Sequence, residues 1–373
     1  MSRIVRWALA PAFVLSFTLA AAAADSAGLD QVGKPDLKSA GPLAFGPKGV
    51  LFVGDPQGAQ VFAIGVGAAA GSPGAPIAGD FKLAGVDAKI AALLGTAAGD
   101  ITINDLAVEP GTNLAYISVS RGKGPSAEPA IVRVDGKGNL TALPLDKVQY
   151  AKVTIANAPS ADAKDKKGGS LRSGSITDMA FVDGKLFIAG MSNEEFASKL
   201  RSIEFPFKSA DTGTSVEIIH TAHNAAVETR SPVRTFVPFN VGGQPQILAA
   251  YTCTPLVTFP VSSLKAGEKI QGKTVAELGN RNQPLDMIAY EKGGKQYLLL
   301  SNSARGVMKI SAESIDKQPA LTAAVKDGGK AGLPYETIES LKDVTQLDKI
   351  GTANALLLVK ADGGSKLEAI ALP

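Results

Sequence analysis

The chain has little of what usually carries chemistry: among 373 residues there are one cysteine, one tryptophan and two histidines. A lone cysteine, Cys253, excludes an intrachain disulfide, so any core must be held by packing alone. Its bland reading is a small buried apolar residue, and its chemical readings are a metal ligand or a reactive thiol. Trp7 lies in the N-terminal apolar stretch, which leaves the rest of the chain without tryptophan. A propeller that relies on tryptophan docking, or on a tryptophan stacked over a quinone, is therefore hard to fit. A large excess of either charge is missing too, with 38 Lys and Arg against 35 Asp and Glu. Such balance gives no footprint for nucleic acid or for an anionic membrane, and both are disfavoured as partners. No G-x-S-x-G, no phosphate-binding glycine loop between a strand and a helix, and no C-x-x-C-H occurs.

Long apolar runs are absent after the first two dozen residues, which predicts no membrane span. Residues 1–24 read as a signal peptide: Arg3 and Arg6, then ALAPAFVLSFTLAAAA, then an A-x-A site at Ala22 to Ala24. Cleavage before Asp25 would leave residues 25–373 as one soluble, exported domain of about +1 net charge, once Arg3 and Arg6 are gone, in the periplasm or outside the cell.

What is present is a repeat. Residues 175–190, SITDMAFVDGKLFIAG, place an Asp before a short apolar strand, a turn at Asp183 and Gly184, and a returning strand rich in β-branched and aromatic residues. Looser copies begin near residues 43, 106, 235, 287 and 344, and most add a third and a fourth strand. Sheets of this kind, recurring without alternating helices, predict an all-β fold, a six-bladed β-propeller. One helix is expected on a connector over Val86–Leu94, with Asp87 as its cap and Gly95 as its stop. The N-terminal segment at residues 25–39 is available to complete the last blade. Residues 161–175, charged and glycine-rich without apolar period, predict a mobile surface loop.

The strings GPLAFGPKGVLFVGD and ITDMAFVDGKLFIAG resemble the inner hairpins of six-bladed propellers of the NHL, SMP-30 and TolB-like kind, from about residue 43 to residue 372. The resemblance implies a fold that hosts lactonases, lyases, receptors and inert scaffolds. Its lactonase members hold a divalent metal with a Glu, Asn and Asp set over the channel. No complete set is matched in this sequence, so that activity is not carried over.

Three constellations emerge from the repeat register. Asp105, Asp178, Asp286 and Asp343, with Arg234, head five inner strands and are expected to ring the axis, either as a divalent-cation site or as caps accepting backbone N–H groups. His220, His223 and Cys253 lie in segments that open on one face, and suggest zinc or copper. Arg230, Arg234, Arg281, Arg305, Asn302 and Glu194 belong to connectors on that same face, where guanidinium groups suit a carboxylate or phosphate. The functional expectation is a propeller that binds a small anionic ligand or a protein partner on its connector face. The alternative is a metal-dependent hydrolase or lyase, with Ca, Zn or Cu, acting over the central channel.

Overall fold

The computed structural model describes residues 28–69, 74–253, 255–326 and 329–373, and the signal peptide expected at residues 1–24 lies outside them. Within it the repeat unit folds as read: Asp178–Val182 pairs antiparallel with Lys185–Met191. Asp183 and Gly184 both take positive φ, 49° and 77°. Two left-handed residues in succession make a turn whose twist matches that of the strands it joins. Gly242 with Gly243 and Gly293 with Gly294 repeat the device in the two blades that follow.

Six sheets form from the described residues. Their inner strands, numbered here as blades 1 to 6 in chain order, are Leu43–Phe45, Ile101–Val108, Asp178–Val182, Val233–Val241, Pro284–Lys292 and Val344–Ile350. Each lies close to the expected start, so the six-bladed propeller is the fold. Apart from one parallel pair, Thr214–His220 with Lys269–Gln271, the strand pairs are antiparallel. The connector helix spans Val86–Leu94 and ends at Gly95, whose φ of 68° closes the last turn. Asp87 is not its cap. It lies in the first turn and accepts a hydrogen bond from Ser365 N at 2.8 Å, tying the helix to blade 6.

Blade order around the axis differs from blade order along the chain. Inner strands neighbour one another in the cycle 1, 3, 4, 5, 6, 2 and back to 1. After Gln60–Gly65 the chain leaves blade 1 unfinished, crosses to add Lys82–Ala84 to the outside of blade 6, and builds blade 2. It then returns with Val148–Thr154 as the fourth strand of blade 1. The N-terminal strand Gln31–Gly33 pairs with this last strand and not with blade 6. Ring closure is thus made by residues 82–84, correcting the expectation that residues 25–39 complete the last blade. A strand edge left open is an aggregation hazard, and the outer edges of blades 1 and 6 are both covered by a segment distant in sequence.

The core is divided in the same way. Six apolar clusters fill the six junctions between neighbouring sheets, for example Phe187, Val216 and Phe236 between blades 3 and 4. Between blades 1 and 3 the filling is aromatic: Phe52 meets Phe205 edge-on at 5.0 Å and stacks on Phe181 at 5.3 Å. Residues 161–174 form a largely exposed, irregular excursion without a named strand, and Ser175 at its end is buried. Asp165 closes its tip by accepting Lys167 N and Gly169 N, both at 2.8 Å, and Arg172 anchors its base on the carbonyls of Gln57 and Pro159.

Candidate functional site

Polar side chains gather at three places, the first of them the channel. Asp105, Asp178 and Asp286 line a cavity of about 520 Å³ on the axis, as expected, but Asp343 and Arg234 do not. Bulges cause both departures. Between Val344 and Gln346 the register shifts, so Gln346 takes the ring position in blade 6, while Asp343, at φ 58°, stays exposed ahead of the strand. A similar shift between Val233 and Thr235 leaves Arg234 pointing outward and puts Thr235 in line. A fourth carboxylate, Asp348, enters the channel two residues further along.

These carboxylates act as staples. Each sends one oxygen to a backbone N–H of the neighbouring inner strand: Asp348 to Val108, Asp105 to Leu43, Asp178 to Phe236 and Asp286 to Leu347, at 2.6 to 2.8 Å. Asp178, Asp286 and Asp348 give their other oxygen to the N–H of the next residue, each at 2.7 Å. With its amide nitrogen turned inward, Gln346 donates to Asp105 at 3.0 Å and Asp286 at 2.9 Å. The geometry is that of the cap reading, extended across four of the six blade junctions. Enclosure by protein raises all four acids although the channel leaves them partly accessible: Asp178 to about 7 and Asp348 to about 6, against the N–H bonds, which lower them. Asp105 and Asp286 are raised by burial and by neighbouring carboxylates.

The second place is a cleft of about 660 Å³ on the connector face, where blades 5 and 6 meet the outer edge of blade 4. Arg305, Lys330, Lys342 and Lys360 line it, opposed only by Glu339 and Asp343. Among the described residues none of these six charges forms an ion pair with another. Arg305 passes over Gly279, where an added Cβ would stand 2.5 Å from Nη2, and the positive φ of 96° at this residue also favours glycine. Nη2 donates to Asn280 O at 3.0 Å, while Nη1 is shielded from solvent and meets no acceptor. Asn302 shapes the loop: its Oδ1 accepts Ala304 N and Arg305 N, and its amide donates to Asn282.

Of the other rim residues, Arg230, Arg234 and Arg281 are exposed and stand outside this cleft. Glu194 is committed elsewhere, pairing with the buried Lys199 at 2.5 Å and accepting from Asn157. Lys330, Lys342 and Lys360 were missed because single lysines in loops and strand ends carry no pattern. Only the fold brings residues 305, 330, 342 and 360 to one wall.

The third place joins the two histidines. Thr214–His220 ends at His220, the turn Thr221–His223 follows, and Asn224 and Ala225, both left-handed, send the chain back as Ala226–Glu228. His220 Nδ1 and His223 Nδ1 then face one oxygen, Glu228 Oε1, at 2.9 and 2.6 Å. Cys253 does not join them. It sits in the loop after Gln244–Tyr251, left-handed at φ 61°, and its N–H is bonded to Asn282 O across the blade 4 and 5 junction. Glu228, five residues after His223, takes the place that sequence reading assigned to the thiol, and only the reversal at residues 224 and 225 reveals it.

No family model matches this chain, and no curated protein does. Solved structures do. A glucose dehydrogenase aligns over 92% of this chain and 100% of its own, at 11% identity and a TM-score of 0.35. The soluble aldose sugar dehydrogenase of Escherichia coli, in its apo form, is 13% identical over 92% of this chain and 99% of that one, with a TM-score of 0.30. The PQQ-bound aldose sugar dehydrogenase of Streptomyces coelicolor is 12% identical over 91% and 97%, at 0.31. Such values transfer no residue role. The likeness to NHL, SMP-30 and TolB-like propellers likewise stands at the level of the six-bladed fold. Among the described residues no helix is long and apolar enough to cross a membrane.

Proposed function

We propose that this chain is an exported propeller that binds a small anionic ligand, bearing a carboxylate or phosphate, in the connector-face cleft around Arg305. The observation that carries the reading is the wall of four cations against two acids with no ion pair between them, around a cavity of about 660 Å³. Volumes of about 300–1,000 Å³ are those of small-molecule sites. Arg305 is held by Asn280 and Gly279 beneath it, which reduces the ordering cost of engaging a ligand. Lys330 is steadied over the Tyr335 ring at 4.4 Å.

Catalysis is not needed for this role. The channel acids, the rival site, have their oxygens engaged by backbone N–H groups, which supports a structural part for them. Calorimetric titration with inorganic phosphate and with citrate tests the proposal. One of the two is expected to bind 1:1, more weakly at higher salt, and Arg305→Met should weaken it about tenfold or more, in keeping with a charge-assisted hydrogen bond. Equal affinity in wild type and in an Arg305→Met, Lys342→Met double variant would remove the cleft as the site.

A further inference from the structure

We infer that His220, His223 and Glu228 form a divalent transition-metal site of the zinc class, with one coordination position open to water. This rests on observations independent of the anion cleft. The ligand atoms of the three residues lie within 4.8 Å of one another. Both imidazoles turn the same nitrogen, Nδ1, to the same carboxylate oxygen, and their rings are 3.7 Å apart between centroids, tilted by 35°. Two rings so placed share a single point of electron-rich convergence. A pair of N–H protons or one cation is needed there, and one cation serves all three groups at once.

The geometry fits a small ion. Bonds of about 2.0 to 2.2 Å in a tetrahedral set keep ligand atoms about 3.3 Å apart. The present separations of 2.9 and 2.6 Å require that Glu228 Oε1 draw back by about 0.4 Å from His220 and about 0.7 Å from His223, within reach of a side-chain adjustment. Nitrogen and oxygen donors in a two-to-one ratio suit zinc or copper and not calcium, which takes six or more oxygens. His223 is 50% exposed, so the fourth position faces solvent, whereas His220 is 2% exposed and fixes the site to the blade edge.

The surroundings are those of a supported site. Ser231 Oγ–H donates to Glu228 Oε2, the oxygen that would not bind the ion, and so orients the carboxylate. Behind the turn, buried Glu277 holds the segment through Oε1, which accepts Thr221 N at 2.9 Å and Ala222 N at 3.2 Å. Its Oε2 is buried with no partner, as is His220 Nε2. Glu277 belongs to blade 4 and the histidines to blade 3, so its hydrogen bonds to Thr221 and Ala222 anchor the site to the neighbouring blade.

The test uses tag-free full-length protein stripped with chelator, titrated with Zn²⁺ against a competing chromophoric chelator. One equivalent is expected to bind with a Kd of about 1 μM or lower, Co²⁺ to give visible tetrahedral absorption at the same stoichiometry, and excess Ca²⁺ to leave both unchanged. His223→Ala, at a half-exposed position that leaves folding intact, should weaken Zn²⁺ binding at least 100-fold, and Glu228→Gln at least 10-fold. Cys253→Ser should bind as wild type does. Absence of saturable 1:1 binding, or binding that survives His223→Ala, or binding lost in Cys253→Ser, overturns the assignment.

Discussion

Phe52→Ala is expected to lower the stability of this propeller by about 3–5 kcal/mol, measured by equilibrium denaturation in urea. Phe52 is fully buried in the second strand of blade 1. Its ring touches Phe181 at 5.3 Å, Phe205 at 5.0 Å and Phe207 at 6.0 Å between centroids. The junction between blades 1 and 3 has no aspartate staple, because the ring position of blade 1 is occupied by the strand Leu43–Phe45 and its preceding Pro42. Packing must hold it. Removing the ring deletes contacts on three partners and leaves a cavity that β-sheets on both sides cannot close. A loss under about 1 kcal/mol would show that this aromatic cluster is not what joins the two blades.

Asp286→Ala is expected to cost about 2 kcal/mol at pH 7, because it leaves the buried N–H groups of Met287 and Leu347 without acceptors. Relief from Asp105 and Asp178 keeps the loss below the full sum for two orphaned donors. The same ring makes a second, opposite-looking result: the melting temperature should rise as pH falls from 8 to 5. The sign follows from linkage. Asp178, raised to about 7, and Asp348, raised to about 6, hold protons in the folded state that the unfolded chain releases near 3.8. Their stabilisation is complete below about pH 4 and is lost as pH climbs through 6 to 7. The half-open channel limits the size to about 1–2 kcal/mol. Glu228 works in the other direction: the His220, Ser231 and His223 hydrogen bonds outweigh its burial and hold it at about 2, so its contribution is lost only in stronger acid. Asp178→Asn should flatten the rise. A melting temperature that falls steadily from pH 8 to pH 5 would mean the channel acids are ionised throughout.

The number of blades, the start of each inner strand and the helix at Val86–Leu94 were legible in the chain, because each rests on local chemistry. Turn residues with positive φ, period-two apolar alternation and a glycine stop act within a dozen residues of one another. Three of the four channel aspartates were legible for the same reason, since each stands immediately before the apolar run of its inner strand. The fourth was not. Asp343 and Asp348 are separated by a bulge, and a one-residue shift in a strand, which reverses every side chain after it, leaves no mark on composition.

Long-range order was decided by the tertiary structure alone. Nothing local distinguishes Lys82–Ala84 as the closing strand of blade 6, or Val148–Thr154 as the fourth strand of blade 1, from any other short outer strand. Their partners are chosen by which exposed edge remains when the inner hairpins have packed. The sites follow from that choice. Arg305 meets Lys342 and Lys360 only because blades 5 and 6 are neighbours, and His220 meets Glu228 only because two left-handed residues reverse the chain between them. Local residue chemistry specifies the repeating unit and the ring it must form; the order of blades, and which side chains share a wall, depend on contacts between residues far apart in the chain.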